Sequence, residues 1–203
     1  MKPLELPITI RTARIDELPY SDELFARIQN RTIAKIDEGY TLQENPTNEL
    51  PFKFYSEINI DNSKLWTLFT VLLYTFPDNV SFIIGDADDE PTFSEYSDKF
   101  QILSKLAEFE IELTKDGFIE FGIICHDENL LIETFVDKTK YLKYWGIDYE
   151  TFSNVMLEFG LTKIDDLNFI DEFPLATEPL TRLISSATPT SELIEYLRNE
   201  FRK

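Results

Sequence analysis

Apolar residues along the chain recur either at every second position or at every third to fourth, and the two periods predict different elements. Phe52, Phe54, Ile58 and Ile60 alternate with polar residues and predict a half-buried strand over 52–60. Asp61, Asn62 and Ser63 then read as a helix start. Leu65, Trp66, Leu68, Phe69, Leu72, Leu73 and Phe76 cover so much of the circumference of 64–76 that this helix is expected to be largely buried. Pro77, Asp78 and Asn79 end it, and the apolar run 80–84 predicts a short buried strand. A helix over about 97–108 turns Phe100, Leu103, Leu106 and Ala107 inward.

Residues 109–114 and 118–124 are two alternating runs joined by Lys115-Asp116-Gly117, and Gly117 suits the left-handed position of a three-residue hairpin loop. A third run, 130–137, makes an antiparallel meander over 109–137. Helical spacing returns over 148–159, through Phe152, Val155, Met156 and Phe159. It appears again over 191–202, with Ser191 as cap before Leu193, Ile194, Leu197 and Phe201. The first fifty residues are sparser: a short strand over 8–15, a helix capped by Ser21, and a polar, Pro-punctuated stretch over 43–51 that reads as a linker. The expected fold is α+β, a mainly antiparallel sheet (the meander 109–137 plus strands near 52–60 and 80–84) with helices packed on one face. Residues 1–50 are expected to be an N-terminal arm or small subdomain and 51–203 the core, together one compact unit.

Charge changes this picture more than length does. The 203 residues carry 38 acidic and 19 basic side chains, a formal net charge of −19. The surplus lies in residues 36–180, where thirty acidic side chains face nine basic ones. Such a surface repels nucleic acid and anionic lipid and attracts cationic partners, so direct nucleic-acid binding is not expected. No apolar run reaches the ~18 residues of a membrane span, and the start of the chain lacks the apolar core of a signal peptide, so a cytoplasmic protein is expected. One Cys and one His exclude an internal disulfide and Cys/His zinc sites, and no cofactor motif is present.

The expected hairpin sets Leu113, Ile111 and Phe109 against Ile119, Phe121 and Ile123 on a core-facing side. The other side then shows Glu112 across from Glu120, with Phe118 and Ile124. Glu133, Phe135, Leu131 and Asp137 join that outer face from the third run, and Glu57 joins it from 52–60. Carboxylates mixed with aromatic anchors suit a basic protein partner. Asp86, Asp88, Asp89 and Glu90 form an acidic loop beside it; its spacing does not fit an EF-hand, because Pro91 stands where the turning Gly is required. A paired-carboxylate hydrolase is a second chemistry that two acids on one face allow. Cys125 and His126 are strand neighbours that point to opposite faces, so they are not a nucleophile–base pair. Tyr141, Tyr144, Trp145 and Tyr149 cluster around Lys138, Lys140 and Lys143, and read as a helix packing its rings on the sheet while its Lys stems reach water.

Taken together, a small, strongly acidic, aromatic-rich α+β chain without a catalytic signature resembles the immunity proteins that protect bacteria from their own or neighbouring secreted toxins. The resemblance is one of profile, so no residue is carried over from it. It implies a non-catalytic, stoichiometric inhibitor that docks on a toxin. The expected contact surface is Glu112, Phe118, Glu120, Glu133 and Phe135 with the loop Asp86, Asp88, Asp89 and Glu90. An adaptor or regulatory module, monomeric or homodimeric, is the alternative.

Overall fold

The structure, a computed structural model, describes residues 3–47, 49–86 and 90–201. In chain order the first elements are β1 (Ile10–Thr12), α1 (Asp22–Ile33), β2 (Gly39–Tyr40), β3 (Gln43–Glu44), β4 (Phe54–Asn59), α2 (Asn62–Tyr74) and β5 (Asn79–Asp86). There follow β6 (Thr92–Phe93), β7 (Ser97–Asp98), α3 (Lys99–Leu106), α4 (Glu110–Lys115), β8 (Ile119–His126), β9 (Leu131–Val136) and β10 (Leu142–Gly146). The chain ends with α5 (Tyr149–Glu158), β11 (Leu175–Thr177), α6 (Leu180–Leu183) and α7 (Thr190–Glu200).

The fold is α+β. Among the described residues the main sheet has nine strands in the order β2-β4-β10-β9-β8-β5-β6, with β3 beside β4 and β7 beside β5. Its ladders are antiparallel, and an isolated parallel bridge links Tyr40 to Lys163. The strands expected near 52–60 and 80–84 are β4 and β5, and the helix expected over 64–76 is α2. The first fifty residues supply β2 and β3 to this sheet, while β1 pairs with β11 in a separate two-stranded ribbon.

The two-residue strand period puts Phe54, Ile58, Phe82, Ile84, Ile119, Phe121, Ile123, Val136, Leu142 and Tyr144 on one face, where they are buried. Leu65, Leu68, Phe69 and Leu72 of α2, Phe152 and Met156 of α5, and Leu193 and Leu197 of α7 join them in one core cluster. Ring contacts fix the layer spacing: Phe69 meets Phe121 edge-on at 5.0 Å, and Tyr144 stacks on Phe152 at 5.1 Å. Each such fully buried side chain contributes roughly 1.5 to 3 kcal/mol of transfer free energy.

The run 109–114 is not a strand. Residues 110–115 form α4, continuing from α3 through a 3-10 turn over Ala107–Phe109. Six alternating residues fit either period, and Glu, Leu and Lys are good helix formers. In the helix Phe109 and Leu113 turn toward the core at a spacing of four, while Ile111 is left 48% exposed. The antiparallel meander is therefore β8-β9-β10, one strand later than the pattern suggested. Gly117 serves a different need as well: a Cβ there would lie 2.8 Å from side-chain atoms of Ile10 and Thr177, so it admits the β1–β11 ribbon rather than turning a hairpin. Asp116 organises this corner, accepting from the Phe118 N–H (3.0 Å) and the Thr190 hydroxyl (2.6 Å). The last helix accordingly begins at Thr190 after Pro189, not at Ser191. In α3 Leu106 is buried and Leu103 half-buried as expected, Ile102 joins them in the core, and Phe100 and Ala107 are exposed.

The residues read as an aromatic-basic helix also change identity, because 142–146 is a strand. Lys140 sits in the left-handed region (φ 67°) at the β9–β10 turn and is 3% exposed. Its Nζ donates to the Ile119 carbonyl at 2.5 Å and lies 5.8 Å from the centre of the Phe121 ring. Burial pulls its pKa down to about 8, against the opposing pull of Asp116, Asp137 and Glu120. The turn thus carries a cation into the interior instead of presenting it to water.

Gly122 on β8 permits the close approach of β9. A Cβ there would lie 2.6 Å from the Thr134 carbonyl oxygen and 2.9 Å from Cδ2 of Phe135. The backbone contact cannot relax by a rotamer change. Gly122→Ala is expected to lower stability by about 1 to 3 kcal/mol, seen as a reduced urea midpoint.

Candidate functional site

The helix-free face of the sheet follows from the same register. One row across it runs Tyr55, Trp145, Glu133, Ile124; the next runs Glu57, Lys143, Phe135, Gly122. Asp137 and Glu120 lie in a third row, as the register of β8 and β9 continues past Val136. The segment 164–173 covers this last row: Tyr141 packs on Phe169 at 4.8 Å and donates to Asp171 Oδ2 at 3.3 Å, and Asn59 Nδ2 donates to the Asn168 carbonyl at 2.9 Å. Over β5 the outer side is covered by residues 92–96, with Ser81 Oγ donating to the Ser94 carbonyl at 2.7 Å. Between these covers, the side chains of the first two rows from β4 to β8 are half-buried by one another, apart from the fully buried Gly122.

Most acids of this face have internal partners. Tyr55 donates its hydroxyl to Glu57 Oε1 at 3.0 Å and packs on Trp145 with ring centres 4.7 Å apart. Asp137 accepts from the Thr139 N–H and hydroxyl, both at 3.0 Å, and from Lys143 Nζ at 2.9 Å. Burial works against the Asp137 carboxylate, but these hydrogen bonds outweigh it and hold its pKa below the ordinary value. Burial, and secondarily the charge of Asp137, pushes the pKa of Glu120 and of Asp171 upward. Glu133 differs from all of these. It lies between Trp145 and Ile124 with no hydrogen bond or ion pair to a described residue, and burial alone raises its pKa to about 7.

Of the residues expected at a contact surface, the structure brings Glu120, Glu133 and Phe135 together on this face, with Glu57 and Asp137. Glu112 is not among them. It belongs to α4, is 8% exposed, and accepts from the Thr188 N–H at 2.9 Å, so the expected Glu112–Glu120 cross-strand pair does not exist. Glu120 instead neighbours Gly85 of β5 and Asp137. Phe118 is half-buried just ahead of β8. Asp86 closes β5 and Glu90 is exposed, both beyond the open face; Asp88 and Asp89 lie outside the described residues. Sequence reasoning missed Tyr55, Lys143 and Trp145 as members of the face. The alternation Leu142, Lys143, Tyr144, Trp145, Gly146 was the available signal, because only a strand buries alternate members of that run.

Among the described residues no group of three or more His, Cys, Asp or Glu side chains could hold a metal ion, and no helix is long and apolar enough to cross a membrane. At the edge of the face a cavity of about 300 Å³ is lined by Gln43, Glu44, Asn45, Pro46, Phe52, Tyr55 and Trp145. Comparison with protein-family models, with curated proteins and with solved structures returned no match.

The Glu133 carboxyl predicts a pH effect on stability. Its folded pKa of about 7 lies above the ordinary 4.5, so the folded protein holds a proton that the unfolded chain has released. Ionising it costs stability progressively as pH rises from about 4.5 through about 7, and the full cost is present above that window. Glu133→Gln removes the cost. The variant should unfold at a higher temperature than the parent at pH 8, by on the order of 2 to 3 kcal/mol, with little difference at pH 4.5.

Proposed function

We propose that the protein is a non-catalytic binding inhibitor, an immunity protein that acts in the bacterial cytoplasm and neutralises a basic toxin by docking its helix-free sheet face on it. The observation that carries this reading is the open patch Tyr55, Trp145, Glu133 and Phe135, where aromatic rings surround a carboxylate that has no partner among the described residues. Large rings grouped around a few desolvated polar groups are what energetic centres of protein interfaces are made of.

The charge balance supports a basic partner. Lys99 and Lys140 are buried, and Lys64, Lys105, Lys143 and Lys163 lie in ion pairs with Asp or Glu. Residues 36–180 carry thirty acidic against nine basic side chains, so the field around the sheet is strongly negative. Such a field speeds encounter with a cationic protein and weakens with salt.

The test uses the proteins encoded beside this chain, purified singly and mixed with it. One of them, basic and growth-inhibiting on its own, should form a 1:1 complex in which its activity is lost. Its affinity should fall at least about tenfold between roughly 50 and 500 mM salt, and at least about tenfold in Trp145→Ala. If no basic neighbour binds, or if binding is indifferent to Trp145→Ala and to Glu133→Lys together, this reading is overturned.

A further inference from the structure

Resting on that docking role, we infer that Glu133 is the seat of an arginine side chain of the partner, whose guanidinium lies on the Trp145 ring and pairs with this carboxylate. Among the described acids of the face, Glu57 is engaged by Tyr55, Asp137 by Thr139 and Lys143, Asp171 by Tyr141, and Glu120 by the Lys138 N–H at 3.4 Å. Glu133 has no donor among the described residues, and it lies half-buried beside Trp145 and Ile124. A partly desolvated carboxylate without a donor of its own gains a strong, charge-assisted bond when a cationic donor arrives.

The surroundings select the donor. A guanidinium is flat and weakly hydrated, stacks on aromatic faces and pairs with a carboxylate through two parallel bonds; an ammonium is a compact, strongly hydrated point charge. The Tyr55–Trp145 pair and Phe135 offer ring surface around Glu133, which favours the guanidinium. The other titratable groups facing this position are accounted for by element: Tyr55 and Glu57 on β4, Lys143 on β10 and already paired with Asp137, His126 at the end of β8, and Asp171 on the covering segment. A guanidinium binds the ionised form, so docking releases the proton that burial keeps on Glu133 near neutrality. Binding therefore strengthens as pH rises.

The probe is a blocked Gly-Arg-Gly peptide, with Gly-Lys-Gly and Gly-citrulline-Gly as comparators, titrated against the full chain while the Trp145 indole resonance is followed by NMR. The arginine peptide should move that resonance, the lysine peptide less, and the neutral citrulline peptide not at all. With a carboxyl pKa of about 7, the arginine affinity should be about tenfold higher at pH 8 than at pH 6. In Glu133→Gln, an isosteric change whose folding the thermal measurement above checks, both the shift and its pH dependence should vanish. An unmoved Trp145 resonance, an equal response to citrulline, or an unchanged titration in Glu133→Gln overturns the arginine seat. Those results leave the docking role standing, because the neighbouring-protein assay reads the whole face; a failed assay with an intact peptide response removes the docking role instead.

Discussion

Because the side chains of a strand point alternately to its two sides, five adjacent strands, β4, β10, β9, β8 and β5, have to agree on which side is apolar, and here they do. Phe54, Leu142, Val136, Phe121 and Ile84 all turn toward α2, α5 and α7. A slip of one residue in any ladder would bring Glu57, Lys143, Glu133 or Glu120 into that layer, at a cost far above any gain from the new pairing. The helical layer therefore fixes the register, and the register alone decides which residues meet on the far side. The far side is free to collect rings and carboxylates because the core has no need of it.

The interior also uses positive charge to hold turns. Lys99 donates to the Phe76 carbonyl at 2.5 Å, at the end of α2, and Lys140 does the same for Ile119. Both cations satisfy backbone oxygens that would otherwise be buried without donors. This structural use takes two of the nineteen basic side chains inside, and the negative character of the chain follows from its surplus of acids.

Long, strongly periodic segments were legible in the sequence. The β4 and α5 patterns fit one period, α2 and β5 were read from dense apolar runs bounded by turn residues, and β8 and β9 alternate long enough to be read with their correct inner faces. That was sufficient to place Glu57, Glu120, Glu133, Phe135 and Asp137 on a common surface. The errors fall where the pattern is short or where tertiary contacts decide. Six residues at 110–115 fit both periods, and continuity with α3 settled them as a helix, which removed Glu112 from the surface. In 141–146 the lysines pointed to a solvated helix, yet a buried cation and a left-handed turn at Lys140 make it a strand that delivers Trp145 beside Glu133. Whether a lysine is inside or outside depends on a carbonyl from another strand, and no local pattern records that.

The flanks of the sheet have a consequence for how anything can engage it. On one flank β2 and β3 each cover only two residues of β4; on the other, β7 covers the first two residues of β5 and β6 covers Ile83 and Ile84. These short, interrupted pieces leave no continuous row of backbone donors and acceptors for an incoming strand to zip onto. Growth of the sheet by strand addition, whether by a visiting peptide or by another copy heading toward fibrils, is therefore closed off at both margins. Short, interrupted edge pieces of this kind are one of the ways in which sheet proteins guard against edge-to-edge pairing.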